Sequence, residues 1–231
     1  MRKKMLLVVC SVILCISIIG CGASKEKENN SIQSVIEYNS IEDVTETNTI
    51  ISPLPVTIDI NKLDNCTVAV SLEQGDAYVD DTGAMQMDVI VYTYDLYDMV
   101  DIASLKEGDV IVIREQEVKV TSLEQNDYGT ILINGGLECN GSELSNNDSG
   151  VWFESGYNDV KSFYEIGKKT IRVSPDFEFY DNSDLDKGEI IYYPGDFLTD
   201  DAGIVYHFIP NNTSIVIENG MIIKMFRNYI P

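Results

Sequence analysis

Apolar and polar residues alternate with a period of two along most of this chain, which predicts strands rather than helices. In residues 66–72, Val68, Val70 and Leu72 share one parity, and Val56, Ile58 and Ile60 do the same just upstream. Residues 85–94 (MQMDVIVYTY) form the longest run, with Val89 and Val91 on one face and Ile90, Tyr92 and Tyr94 on the other. Apolar side chains on both faces predict a central strand covered twice. Leu105-Lys106-Glu107-Gly108-Asp109 is turn chemistry ahead of Val110-Ile111-Val112-Ile113. A turn at Glu115-Gln116, then Val118, Val120 and Ser122, a turn at Asn126-Asp127, and Ile131 and Ile133 predict a meander. Residues 98–105 read as a short helix, and residues 159–164 as one or two helical turns.

Residues 135–150 (GGLECNGSELSNNDSG) are rich in Gly, Ser and Asn and read as a long exposed loop that splits the body into two lobes. Ordered chain restarts at Val151-Trp152-Phe153. Residues 170–173 and 177–180 read as strands broken by Pro175, and residues 189–193 and 204–209 as further strands. At the end of the chain, Asn219-Gly220 sits between two β-rich runs, Ser214 to Glu218 and Met221 to Met225. Both turn residues tolerate positive φ, so a type I′ hairpin is expected. The fold class expected is mostly β: an antiparallel barrel or sandwich built from meanders and hairpins, with one or two short helices.

The start of the chain is different. Arg2, Lys3 and Lys4 precede an apolar run over residues 5–19, shorter than the roughly 20 residues a membrane span needs. The run ends at Ile18-Ile19-Gly20-Cys21, which resembles the lipobox of bacterial lipoproteins. The resemblance implies that residues 1–20 are removed and that Cys21 carries a diacylglyceryl thioether. The chain would then hold to the extracytoplasmic face of the cell membrane through its lipidated cysteine. Residues 21–53 are Asn-, Ser-, Glu- and Thr-rich and read as anchor and flexible tether, and residues 54–231 as a β-rich extracytoplasmic domain. Beyond Cys21 the chain resembles only exported domains from which no activity carries over.

Charge narrows the partners. The chain has 16 basic and 38 acidic residues, and loss of the three basic residues in the first twenty leaves 13 against 38, net −25. So acidic a body disfavours nucleic acid and anionic lipid headgroups. The single histidine, His207, rules out His-rich zinc sites, and there is no Gly-x-Ser-x-Gly elbow or phosphate-binding glycine loop. Asp181, Asp184 and Asp186, in DNSDLDKGE, are candidate calcium ligands, since alternating oxygen side chains on a turn suit a hard cation. Cys66 and Cys139 are the two thiols left after lipidation and are candidates for a disulfide. Thirteen tyrosines and Trp152 could form a sugar-stacking platform, although both residue types are ordinary in strands. The expected function is a lipid-anchored binding or interaction module at the cell surface, with a protein or glycan partner. The alternatives are a carboxylate-based glycan hydrolase and a structural envelope lipoprotein.

Overall fold

The structure is a computed structural model, and it describes residues 48–56, 58–147, 150–199 and 202–230. The expected signal peptide, Cys21 and nearly all of the tether lie outside the described residues. The chain begins with β1 (Ile50–Ile51), β2 (Cys66–Ser71), β3 (Ala77–Val79), β4 (Met85–Thr93), β5 (Leu96–Tyr97), α1 (Met99–Ser104), β6 (Val110–Ile113) and β7 (Gln116–Lys119). It continues with β8 (Leu123–Gln125), β9 (Ile131–Ile133), β10 (Ser142–Asn146), β11 (Trp152–Ser155), β12 (Tyr164–Asn182), β13 (Ile190–Tyr192), β14 (Thr213–Glu218) and β15 (Met221–Asn228). The fold is mostly β, as the alternation predicts.

Five of these strands close into a barrel. β2 pairs with β4, β4 with β12, β12 with β15, β15 with β14, and β14 with β2. All contacts are antiparallel except β12 with β15. The long β12 makes closure possible by serving two neighbours. Its first half, from Tyr164 to Arg172, lies on β4, and its second half reaches β15 with a register break between Val173 and Glu178. Pro175 sits in that break, where the missing N–H costs no ladder bond. The proline therefore bends one strand rather than separating two. A second irregularity between Glu165 and Gly167 re-aims the strand, and Gly167 (φ +150°) leaves room for Ile60, whose Cδ1 would stand 2.7 Å from an added Cβ.

The barrel interior is filled by Val68, Val70, Met87, Val89, Val91, Phe177, Phe179, Ile215, Ile217, Ile222 and Met225. Phe197 and Phe208 close it with ring contacts to Phe179 at 5.4 and 5.6 Å. The hairpin β14–β15 turns at Asn219 (φ 51°) and Gly220 (φ 70°), the two positive dihedrals of a type I′ turn.

Between β4 and β12 the chain leaves the barrel and builds a second core. β5, β8, β9, β10 and β11 form one sheet, and β6 and β7 pair with the early strand β1 in another. Ile51, Tyr97, Ile102, Ile111, Ile113, Ile133, Leu144 and Trp152 pack between them. α1 is capped by Asp98, whose side chain accepts a 2.7 Å bond from the Val100 amide. The expected meander is split between these sheets at the β7–β8 turn. There the Asn134 side chain accepts from the Thr121 amide (2.7 Å) and donates to Lys119 O (2.9 Å).

Several local expectations need correction. The ordered body begins before residue 54, because Ile50–Ile51 pairs with β6 and Ile51 is buried in the second core. Residues 159–164 are not helical turns: a 3-10 turn ends at Asp159 and Tyr164 already opens β12. Residues 135–150 are not one open loop, because Ser142–Asn146 is a strand between β9 and β11, with Leu144 fully buried. The second core is bounded instead by the departure from β4 and the return into β12. Val56, Ile58 and Ile60 form no strand, and residues 204–209 contribute only a bridge between Phe208 and Leu72. Ile58, Ile60, Ile204 and Tyr206 pack half-buried on the barrel core, so their apolar positions reflect docking onto the barrel, not pairing.

Candidate functional site

The side chains singled out in the sequence lie in separate parts of the molecule. Asp181 and Arg227 are register partners on β12 and β15, and both are buried, at 7% and 2% exposure. Arg227 Nε donates to Asp181 Oδ1 at 2.9 Å, its second nitrogen holds Oδ2, and its plane stands 4.5 Å from the Phe208 ring centroid. Burial alone would raise the Asp181 carboxyl, but hydrogen bonds from Arg227 and Ser183 outweigh it and hold the group below its ordinary range. Asp184 pairs with Lys187 at 3.1 Å and accepts from the Asp186 amide. Among the described residues no group of three or more His, Cys, Asp or Glu side chains is placed to hold a metal ion. Both thiols are free: Cys66 lies on β2, where burial pushes it up, and Cys139 is exposed on a 3-10 turn of the other core. His207 is exposed, and Trp152 is 8% exposed inside the second core, so it offers no stacking face.

A second buried polar group, not anticipated from the sequence, joins the two cores. Asp95, just after β4, accepts from the Arg114 amide (2.6 Å) and from the Tyr164 hydroxyl (2.9 Å). Arg114 in turn grips Glu154 with two nitrogens, Nε at 2.7 Å. Asp95 and Glu154 are at most 1% exposed. Burial and the adjacent Asp95 push the Tyr97 and Tyr164 hydroxyls far up, so both stay protonated donors. The hydrogen bond to Glu154 likewise raises the Arg114 guanidinium. Every charge here has its partner, so the cluster is a fastening between sheets rather than a reactive centre.

An open cleft lies across β4. Residues of β4 alternate between the barrel core (Met87, Val89, Val91) and the outer face (Asp88, Ile90, Tyr92). β12 runs along one edge of β4, and β2 followed by β3 along the other. Register places Ser71, Ile90 and Lys168 in one row and Asp88 beside Thr170 in another. A cleft of about 810 Å³ covers these rows. Ile90 and Tyr92, both half-buried, form its floor, and the Tyr92 hydroxyl meets Ser71 Oγ at 3.1 Å. Lys168, in register with Ile90, stands on the β12 side, whereas Lys169, in register with Val89, turns its side chain to the opposite face; Glu73 and Asp76, on the turn between β2 and β3, stand across from Lys168. That turn is braced, since Asp76 accepts from the Glu73 amide at 2.7 Å and its carbonyl accepts from the Asp88 amide at 2.9 Å. Phe208, Ile209 and Pro210 close the cleft beyond Leu72. Neither Lys168 nor Lys169 makes an ion pair among the described residues. The residues meet only because strands distant in sequence pair, and no short motif encodes them. No protein-family model, no curated protein and no solved structure matches this chain.

Proposed function

We propose that this protein is a binding module held at the extracytoplasmic membrane surface by a lipid on Cys21, with its ligand seated in the cleft across β4 and β12. The observation that carries the reading is the cleft itself. It has a half-apolar floor, hydroxyl and carboxylate groups around it, and a lysine, Lys168, that makes no ion pair among the described residues. Architecture supports it by analogy, since five-stranded Greek-key barrels of the OB type take ligands on the face of their second and third strands. Here β4 and β12 are the second and third barrel strands in chain order. Hydrolysis of a glycan fits less well. A general acid needs a desolvated carboxyl, whereas Glu73 and Asp88 are exposed, half-buried Asp76 is occupied by the Glu73 amide, and the deeply buried Asp95, Asp181 and Glu154 are tied to donors of the fold.

The test has two arms. Cys21→Ser should release the chain from the membrane fraction and abolish incorporation of a fatty-acid analogue; retention of the mutant, with no label on the wild type, would refute the anchor. In the second arm, low-mass compounds extracted from the envelope are equilibrated with wild type and with Ile90→Asp, and retained compounds are weighed by mass spectrometry. The wild type should retain compounds that the variant loses at equal melting temperature. Identical retention would refute the cleft as the binding site.

A further inference from the structure

We infer that the cleft across β4 selects a short peptide with both termini free, bound across the strands with its amine toward Glu73 and Asp76 and its carboxylate toward Lys168. The inference rests on the reading of the cleft as a binding site and adds the ligand class. It begins with charge. Acidic residues outnumber basic ones 38 to 16, yet Lys168 and Arg172, in register with Ile90 and Gln86, share the outer face of β12. A polyanion would meet Glu73, Asp76 and Asp88 as well as the negative field of the whole body. A polycation would meet Lys168. A neutral sugar would use neither set. A ligand carrying one charge of each sign uses both, provided the two are spaced as the walls are.

The spacing is set by the sheet. β12 and the β2–β3 side flank β4 on opposite edges, so the walls stand two strand spacings apart, about 10 Å. Three residues of extended peptide span about 10 Å. A tripeptide therefore reaches both walls, a dipeptide falls short of one, and a much longer peptide must leave one terminus outside. Between the termini its central side chain lies over Ile90 and Tyr92, the half-apolar floor. The Lys168 ammonium makes no ion pair among the described residues, although three carboxylates line the same cleft. It is thus free to take a ligand's carboxylate. Binding should weaken with added salt, since both walls are open to water.

The experiment uses the purified full-length chain and random-sequence peptide pools of two, three and six residues. Each pool is offered with free termini, N-acetylated or C-amidated. Equilibrium dialysis with mass-spectrometric readout measures retention. The expected result is preferential retention of the free tripeptide pool, with loss on capping either end. Lys168→Gln should erase the preference for a free carboxylate, and Glu73→Gln/Asp76→Asn the preference for a free amine. Each should weaken the free tripeptides about tenfold or more, the loss of one charge-assisted contact. Unchanged melting temperatures would show that both variants fold. Equal retention of capped and free pools, no retention of any pool, or variants that do not alter the preference would overturn the inference. If the envelope extract still yields cleft-dependent ligands while the peptide pools fail, only the ligand class falls. If neither is retained, the binding reading falls with it.

Discussion

Asp181→Asn should be among the most damaging single changes in the barrel. The substitution keeps the shape of the side chain and removes the charge that Arg227 faces on the neighbouring strand, where the two side chains are 8% and 3% exposed. Arg227 would keep the carbonyl of Val205 and the faces of Phe208 and Phe179, but no counter-charge. Leaving one member of a buried ion pair alone costs about 3–5 kcal/mol. For a domain of this size that corresponds to a fall in melting temperature of roughly 6–20 °C. Arg227→Met should cost a similar amount, because it strands the carboxylate. The double variant Asp181→Leu/Arg227→Met should recover most of the loss, since an apolar pair needs no compensation. The pH dependence has a definite sign. The folded Asp181 carboxyl lies below its ordinary value, so the pair's contribution is complete at neutral pH and is lost as pH falls below about 4 toward the depressed folded value. The gap between wild type and Asp181→Asn should therefore be constant from pH 7 to 5 and narrow below that. Denaturant unfolding at each pH supplies the free energies. A single-variant loss under 1 kcal/mol, or a double variant worse than the sum of the singles, would refute the reasoning.

Two further outcomes follow from the other core. Arg114→Met leaves Glu154 buried without a cation; because the Arg114 side chain is 48% exposed and water can enter in its place, the expected loss is about 2–3 kcal/mol, read by chemical unfolding, together with faster hydrogen exchange in β6 and β11. Gly141→Ala would set a Cβ 2.1 Å from the carbonyl oxygen of Ile133, so β9 and β10 must part; a loss of about 1–3 kcal/mol is expected by thermal melt, and an unchanged melting temperature would contradict the β9–β10 register.

Local signals in this chain are read well where they act locally. β2, β4 and the β14–β15 hairpin follow from alternation and from Asn219-Gly220, because a half-buried strand must alternate and a type I′ turn needs positive φ. The same rule misleads at Ile58 and Ile60, and again at Ile204 and Tyr206, since a segment that merely docks on a barrel also buries selected side chains. Residues 142–146 are hidden by their polarity. Ser145 is buried, but it is satisfied by Ser155 Oγ at 2.9 Å, a partner that composition does not reveal. Pro175 reads as a break until the two separate neighbours of β12 are known. Asp181 reads as an open oxygen ligand until Arg227, 46 residues away, is placed opposite it. The cleft is the extreme case. Ser71, Tyr92 and Lys168 carry no motif, and only barrel closure makes them neighbours.

The binding face is most directly tested by photo-crosslinking in intact cells. A photoreactive residue replaces Ser71 in one strain, inside the cleft, and Tyr128 in another, on an exposed turn of the second core. Illumination should give a discrete adduct from position 71, lost when Ile90→Asp is added, and none from position 128. The same adducts from both positions, or none from position 71, would contradict the assignment of this cleft as the binding site.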